Sequence, residues 1–341
     1  MLFILEGEVS FDVSVIIPTY NRATFIGATL ESILSQSLPP AEVIVIDDGS
    51  TDDTREIVKA FEPRVKYLWI ENSGVCRARN IGVEASSSSW IAFCDSDDLW
   101  RPDKLAVQAR MAMHAPDVAY GFTNFRIEID GNISKDTKFD TLPPWFWDIP
   151  KRAIDDDILV VDEPLFRHIL HHQPIFPSTI IMKRSFYYKI GGFNDLFGRT
   201  PSEDLEFTLR CVEHPPIGVT ISPVVIIKKH SGNFSANDMK NKLGEMEILR
   251  YQLENNSIAR KYESEIMEQI VLRSISCVAH AFSVGDLDLI RLLLRSIPFG
   301  RRSLKVHFKG LIAYFPKPVG RQIQSILIDI ATFIRNNGNK I

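Results

Sequence analysis

Short apolar runs rich in β-branched residues alternate with amphipathic segments along the first hundred residues of the chain. Such runs are typical of strands buried on both faces of a parallel sheet, and apolar positions spaced three or four apart predict helices packed on it. The predicted strands are 13–18, 42–48, 65–70 and 90–94, and the predicted helices are 24–37, 54–60 and 75–85. This alternation implies right-handed crossovers, and hence an α/β fold with a mostly parallel central sheet flanked by helices.

The pattern changes beyond residue 120. The stretch 122–176 is aromatic and irregular and predicts a loop over a cleft, and one more strand is expected at 224–227. From 239 to 296 the apolar spacing is helical, with no strand signal. We therefore expect one domain over residues 1–236, divided into halves of about 12–120 and 121–236. A C-terminal α-helical extension would follow at 237–341.

Acidic residues follow two of the predicted strands, at Asp47-Asp48 and at Asp95-Ser96-Asp97-Asp98. Ligands of open α/β sheets bind beyond the carboxyl ends of the strands, so both groups are expected at one binding edge. Asp95 and Asp97 would point the same way on an extended segment and converge on one cation. Oxygen ligands of this kind suit Mg²⁺ or Mn²⁺. The alternative is a solvated turn or a helix N-cap formed by the same acids.

Composition is that of a soluble protein with an ample core, 45% hydrophobic and 24% charged. Four cysteines without CxxC spacing suggest neither zinc nor a disulfide framework, and they fit a reducing compartment. The apolar start, residues 1–5, is too short for a signal peptide, and no window predicts a transmembrane helix. These features predict a cytoplasmic protein.

The net charge of −4 hides a basic C-terminus. From residue 301 onward the only acid is Asp329, and apolar residues are interleaved with Lys and Arg. This pattern predicts a helix lying on an anionic membrane surface. The alternatives are packing on the catalytic core or a dimer interface in a homo-oligomer. Nucleic acid is not an expected partner, because no dense basic cluster with aromatics is present.

Several ordered motifs together resemble family 2 glycosyltransferases of the GT-A fold, over about residues 12–235. They are VSVIIPTYNR at 13–22, IDDGSTD at 46–52, NSGV at 72–75, ARNIG at 78–82, DSDD at 95–98, GGFN at 191–194 and SEDLE at 202–206. The resemblance implies a Rossmann-like, inverting enzyme. Its nucleotide-binding half would be 12–120 and its acceptor half 121–236. The family often has an aromatic residue where this chain has Leu205, which puts one wall of the acceptor pocket in doubt.

The resemblance also implies a donor site for a nucleotide-diphosphate sugar, with a UDP-sugar expected. Asp48 would accept a hydrogen bond from the base, Tyr20 would pack nearby, and Pro18 and Thr19 would line the ribose side. Asp97 would be the principal metal ligand of a DxD motif. The remaining members of the donor-side set would be Asp95, Ser96 and Arg79. Arg79 would contact a phosphate or the nucleobase, with a surface salt bridge as the alternative.

On the acceptor side, Asp204 would be the general base and Glu203 would orient the acceptor. The alternative is that both acids only stabilise the positive end of a helix dipole. His230, in HSGNFS at 230–235, would be a further metal or diphosphate ligand, or a structural histidine. The resemblance thus implies a metal-dependent transferase acting on a glycan or lipid-linked acceptor in cell-surface polysaccharide or glycoconjugate synthesis. It would work peripherally on the inner face of a membrane. The alternative is an inactive GT-A domain that only binds a nucleotide-sugar or a partner.

Overall fold

The computed structural model describes residues 11–230 and 237–338, with side chains described up to residue 329. Two compact units are present, Met1–Ala236 and Asn237–Ile341. Most of the predicted His-containing segment (residues 231–235) and the apolar start (residues 1–5) lie outside the described residues. So do the side chains of Ile330, Phe333, Arg335 and Lys340.

In the first unit the described residues form eleven strands in one sheet and seven α-helices around it. The strands are β1 Val13–Thr19, β2 Glu42–Asp47, β3 Lys66–Trp69, β4 Trp90–Phe93, β5 Leu99–Trp100, β6 Tyr120–Ile129, β7 Asn132–Ile133, β8 Lys151–Ala153, β9 Ile158–Val161, β10 Ile180–Lys183 and β11 Ile217–Lys229. The helices are α1 Ala23–Leu34, α2 Thr54–Lys59, α3 Val75–Glu84, α4 Lys104–His114, α5 Phe166–His171, α6 Arg184–Lys189 and α7 Glu203–Cys211.

The strand order is β3-β2-β1-β4-β10-β6-β11-β9-β8, with β5 and β7 pairing at the side of this path. β1 pairs in parallel with both β2 and β4, and β2 pairs in parallel with β3. β10 runs antiparallel between β4 and β6. The sheet is therefore mixed but mainly parallel around β1, which confirms the predicted α/β architecture with helices on its faces.

Burial explains why these runs became strands. All seven residues of β1 and all four of β4 are buried, as expected for central strands covered by helices on both faces. Each buried Val or Ile side chain contributes about 1.5–3 kcal/mol relative to exposure. Ile26, Leu30 and Ile33 form the buried stripe of α1 against this core.

The prediction of an irregular middle was wrong for part of 122–176. β6 is a ten-residue strand that pairs along nearly its whole length with β11, and β9 pairs with β11 as well. Aromatic residues such as Phe122 and Phe125 are buried in the sheet rather than exposed over a cleft. The part from 134 to 150 contains two short 3₁₀ turns and fits the predicted loop.

The second unit is helical in the residues described. Its helices are α8 Asp238–Asn255, α9 Glu263–Ser283, α10 Leu287–Ser296, α11 Leu304–Ala313 and α12 Lys317–Gly338. Contacts between α8 and α9, α9 and α10, and α10 and α11 join them in sequence order. This confirms the predicted C-terminal helical region.

None of the described helices combines the length and apolarity needed to span a bilayer. All four cysteines are buried and reduced.

Candidate active site

The candidate site lies at the edge where β1, β2 and β4 end. Thr19, the last residue of β1, pairs with Asp47, the last residue of β2. The Asp48 N–H donates to the Thr19 carbonyl over 2.8 Å, so the loops after β1 and β2 leave the sheet side by side. The two acidic groups follow β2 and β4, the strands that pair in parallel on either side of β1, so they lie at the same edge of the sheet.

Asp48 holds the loop that leads into α3. Its Oδ1 accepts the Ser73 N–H at 2.6 Å and its Oδ2 accepts the Gly74 N–H at 2.9 Å. Gly74 has a φ of +93°, and a Cβ there would meet the Gly198 carbonyl oxygen at 2.7 Å, so only glycine fits. Burial raises the pKa of Asp48 despite these hydrogen bonds.

The predicted residues of the β1 end occupy two environments. Pro18 and Thr19 are buried, and Tyr20 is 47% exposed, which excludes a core position for its ring. Among the described residues, no hydrogen-bond partner reaches the buried Thr19 Oγ1. Asn21 has a φ of +50°, and its Oδ1 accepts the Thr51 N–H at 2.8 Å, which locks this loop onto the turn after β2.

The acidic loop after β4 is a turn and not an extended segment. β4 ends at Phe93, and the Asp98 N–H donates to the Asp95 carbonyl at 3.1 Å. The simple alternation that would aim Asp95 and Asp97 in one direction is therefore wrong. The Ser96 carbonyl accepts the Thr29 hydroxyl at 3.0 Å, which ties the loop to α1.

Ser178 holds the acidic loop after β4 in place through hydrogen bonds to Asp95 and Asp98. Its hydroxyl accepts the Asp95 N–H at 2.9 Å and donates to Asp98 Oδ2 at 2.5 Å. Asp98 Oδ1 also accepts the Lys228 N–H at 3.0 Å. Asp98 is buried, and burial together with its neighbours Asp97 and Asp95 raises its pKa. Asp98 thus acts as a structural anchor of the loop.

Asp97 faces two cationic or basic side chains. Its Oδ2 lies 3.1 Å from His230 Nε2 and 3.5 Å from Arg22 Nε. The imidazole stacks on Phe25, with 4.3 Å between ring centroids, which fixes its plane. Asp97 and His230, the two predicted metal ligands, are 133 positions apart in the sequence and adjacent in the structure.

Arg79 connects the acidic loop after β4 to the start of α7. Its Nη2 lies 2.8 Å from Asp95 Oδ1, and its Nη1 lies 2.8 Å from Glu203 Oε1. Arg79 is 2% exposed, so the alternative of a surface salt bridge is wrong. Burial alone would lower its pKa, but Asp95 and Glu203 raise it above the usual range. The guanidinium is therefore a permanent cation between two predicted site acids.

Glu203 and Asp204 are the first two residues of α7, and Ser202 precedes them with a φ of +66°. Glu203 pairs with Arg79, so it does more than face the helix dipole. Asp204 is half-buried in the next position. Leu205, at the position where an aromatic residue was expected, is buried.

The GGFN turn before α7 is held by α3 and by α7 itself. Asn80, next to Arg79 on α3, donates to the Phe193 carbonyl at 2.9 Å and to Asp195 Oδ1 at 2.7 Å. Arg210 of α7 donates to the Gly192 carbonyl at 2.7 Å. Arg79 and Asn80 therefore join the loop after β4 to the GGFN turn and the start of α7.

Carboxylates crowd around Asp97, the predicted principal metal ligand. Asp95, Asp97 and Asp98 lie close together, and burial and the neighbouring Asp95 raise the pKa of Asp97. A cation reverses such a shift, because it stabilises the ionised carboxylates. Among the residues described, no three His, Cys, Asp or Glu side chains form a complete metal site. Asp97 and His230 would supply two ligands of the kinds that Mn²⁺ accepts.

Three residues with evident roles were missed from the sequence. Arg22 contacts Asp97, Ser178 positions the acidic loop, and Asn80 holds the GGFN turn. Arg22 and Asn80 stand inside the motifs that carry the family resemblance, which was the available signal. Ser178 lies in a stretch without any motif, so only its contacts identify it.

The aromatic stretch before α5 forms a further cluster. Trp145 is half-exposed, and its ring lies within 6 Å of the rings of His168, His171 and His172, between centroids. α5, which carries two of these histidines, packs against α7. The cluster therefore lies on elements that contact α7, the helix that begins with Glu203 and Asp204.

Residues 14–166 match the sequence profile of the family described as Glycosyl transferase family 2. A PGL/p-HBAD biosynthesis glycosyltransferase of Mycobacterium bovis (strain BCG / Pasteur 1173P2) is 31% identical over 62% of this chain and 74% of its own length. The chain belongs to the family 2 glycosyltransferases.

Another relative is the Escherichia coli UDP-Glc:alpha-D-GlcNAc-diphosphoundecaprenol beta-1,3-glucosyltransferase WfaP. It is 28% identical over 80% of this chain and 97% of its own length. Two further curated relatives, 41% and 42% identical, match over 47% and 18% of their own length. The chain thus spans about half or less of those proteins.

The structure of S. aureus TarS 1–349 in complex with UDP-GlcNAc has a TM-score of 0.62 to this chain. It is 18% identical and the comparison covers 94% of this chain and 92% of TarS 1–349. The likeness confirms the GT-A fold.

Proposed function

We propose that the protein transfers a sugar from a nucleotide-diphosphate donor, a UDP-sugar, to a hydroxyl group of a glycan or lipid-linked acceptor. The acceptor oxygen forms a bond to the anomeric carbon as the bond from that carbon to the diphosphate breaks. Attack opposite the leaving group inverts the anomeric configuration. The products would be an extended glycan and a nucleoside diphosphate.

The observation that carries this proposal is the contact of Arg79 with both Asp95 and Glu203. One buried cation links the acidic loop after β4 to the start of α7, over separations of 16 and 124 residues along the chain. A transferase needs its donor and acceptor groups within reach of each other, because the reacting atoms must be aligned in one site. This contact supports such a shared site.

Donor binding would use the ends of β1 and β2. Asp48 would accept a hydrogen bond from the base, and the half-exposed Tyr20 ring offers a face for stacking. The buried Thr19 Oγ1 would gain a partner on the ribose side, where Pro18 also lies. UDP as the nucleotide is supported by the names of two proteins to which the chain is similar, the WfaP glucosyltransferase and the TarS complex with UDP-GlcNAc.

Asp97 and His230 would hold Mn²⁺ or Mg²⁺, with Asp95 and Ser96 beside them. A bound divalent ion supplies charge neutralisation for the departing diphosphate. Arg22, beside Asp97, would keep that carboxylate oriented before the donor arrives.

Asp204 would take the proton from the acceptor hydroxyl, and Glu203, held by Arg79, would orient the acceptor. A positioned base contributes about 10²- to 10⁴-fold to such a step. The exposed face of Trp145 offers a surface for an acceptor sugar on the same side of the unit. The acceptor would belong to cell-surface polysaccharide or glycoconjugate synthesis, and the reaction would occur at the inner face of a membrane.

The test is calorimetric titration of the purified protein with UDP, GDP and dTDP, each with and without Mn²⁺. We expect Mn²⁺-dependent binding of UDP that is tighter than that of the other two nucleotides. Failure of all three to bind would overturn the proposal. UDP binding without hydrolysis or transfer from any UDP-sugar would instead favour the inactive binding module.

A further inference from the structure

The helix α11 has apolar residues on two opposite faces. Val306, Gly310 and Ala313 are buried, and Gly310 lies so close to α10 that an added Cβ would meet Leu294 Cδ1 at 2.8 Å. The other face carries Leu304, Phe308 and Leu311, which are 90%, 53% and 66% exposed. A helix at the surface of a soluble protein normally presents polar residues to water on that face.

These three residues form a continuous stripe. Their spacing of four and three positions places them on one side of the helix, one turn apart. Phe315, exposed just beyond the helix, extends the stripe, and Phe299 lies 4.6 Å from the ring of His307 beside it. We name Leu304, Phe308, Leu311, Phe315 and Phe299 the α11 stripe. A contiguous exposed patch of this kind marks an interaction surface.

The charge around the stripe is mainly positive. Between residues 289 and 328 the chain contains eight Lys and Arg and no Asp or Glu. Lys305 is exposed on α11 next to Leu304, and Arg301 and Arg302 immediately precede the helix. Glu268 offsets Arg301, and Asp288 offsets Lys317, so an excess of positive charge persists around the stripe.

We infer that the α11 stripe and its basic rim dock the protein onto an anionic lipid bilayer. Large apolar side chains would enter the boundary between headgroups and acyl chains, and the cations would meet anionic headgroups, as interfacial helices do. A second copy of this chain is disfavoured as the occupant, because two stripes face to face would bring like charges together. The inference deepens the proposed location at a membrane. It concerns the second unit and needs no nucleotide, so its test can fail while the proposed sugar transfer stands.

The experiment is co-sedimentation of the full-length protein with vesicles of phosphatidylcholine alone or mixed with phosphatidylglycerol. We expect binding to the mixed vesicles, weak binding to the neutral ones, and loss of binding at high salt. The variant Phe308→Ser/Leu311→Ser should bind mixed vesicles at least about tenfold more weakly, because it removes two large apolar groups from the interface. The variant Lys305→Gln should weaken binding about fivefold, because it removes one cation from the rim of the stripe.

The matched control is Leu272→Ser on α9, which removes an exposed leucine outside the stripe. It should leave vesicle binding unchanged, and all variants should keep the wild-type melting temperature and UDP affinity. Equal binding of wild type and Phe308→Ser/Leu311→Ser to mixed vesicles would overturn the inference, as would no binding by the wild type. A dimer in sedimentation velocity that this double variant abolishes, without vesicle binding, would assign the stripe to a second copy instead.

Discussion

The two acidic strand ends of the first unit look alike in sequence but differ in their partners. Asp47 and Asp48 are satisfied by neutral donors: Asp47 accepts the Ser50 N–H at 2.7 Å and the Tyr67 hydroxyl at 2.6 Å, and Asp48 accepts two backbone N–H groups. The carboxylates of Asp95 and Asp97 instead face the side chains of Arg79, Arg22 and His230. The acids of the first strand end, after β2, hold a loop in its conformation. The acids of the second strand end, after β4, have their charge offset by neighbouring basic side chains.

This difference indicates separate tasks for the acids of the two strand ends. A carboxylate engaged by backbone N–H groups is fixed in position and stabilises one loop conformation. Carboxylates that crowd together and require cations to offset them make a place where a further cation binds favourably. The Tyr67 hydroxyl illustrates the first case, because burial and its hydrogen bond to Asp47 raise its pKa and keep it a donor.

The largest expected effect lies outside both strand ends. Replacement Asp204→Asn should lower the transfer rate about 10²- to 10⁴-fold, because the acceptor hydroxyl loses its base. UDP affinity in Mn²⁺ should remain that of the wild type. Single-turnover transfer and UDP titration on the same preparation measure both quantities. A variant that keeps more than about a tenth of the wild-type rate would contradict the proposal that Asp204 is the base.

The second end is tested by Asp97→Asn. UDP affinity in Mn²⁺ should fall at least about a hundredfold, since loss of even an indirect metal partner costs 10- to 100-fold. Affinity without Mn²⁺ should change little, because the lost interaction is with the ion. Calorimetry with and without Mn²⁺ gives both values. Unchanged affinity in Mn²⁺ would show that Asp97 holds no metal.

A substitution at the first strand end, after β2, should change UDP affinity by a similar factor whether or not Mn²⁺ is present. Asp48→Asn leaves one oxygen to serve both the Ser73 and the Gly74 N–H and removes the charged acceptor for the base. We expect UDP affinity to fall about tenfold, by a similar factor with and without Mn²⁺. If UDP affinity fell only in the presence of Mn²⁺, the two strand ends would not differ in their dependence on the ion.

The smallest effect on donor binding is expected from Asp47→Ala. The fully buried carboxylate is lost, and the Ser50 N–H and the Tyr67 hydroxyl are left without it, so the free energy of unfolding should fall by about 1–3 kcal/mol. Urea unfolding measures this change, and the double variant with Tyr67→Phe should recover part of it. A large loss of UDP affinity in the folded variant would contradict a purely structural role.

Much of the first unit could be predicted because its elements are marked locally. The strands ending at Thr19, Asp47 and Phe93 are apolar runs bounded by polar or turn-forming residues. Burial of their hydrophobic side chains is enough to predict them as strands. β10 is different: four residues, Ile180–Lys183, join the sheet antiparallel between β4 and β6. Its direction depends on partners 58 and more residues away along the chain, for which a local pattern has no signal.

The same limit applies to the site. The motifs identified the acids, and the sheet edge explained why they share a place. The partner of each acid, such as Arg79 for Glu203, arises from packing of α3 against the turn before α7. Ser178 had no motif at all, and its role depends on a hydrogen bond across 83 residues. Contacts between residues so far apart in the sequence depend on the assembled sheet and cannot be predicted from the spacing of residues within a motif.

The parts of the first unit before and after residue 120 meet on consecutive residues of one helix, α3, and this bears on how relatives of this chain can be recombined. Arg79 contacts Glu203, and Asn80 contacts Phe193 and Asp195, so the part after residue 120 carries the counterparts of two residues encoded far upstream. A chimera spliced near residue 120 would keep α3 from one parent and receive the turn before α7 from another. Exchange of acceptor preference between relatives should therefore carry α3 along with the acceptor half as a single inherited block.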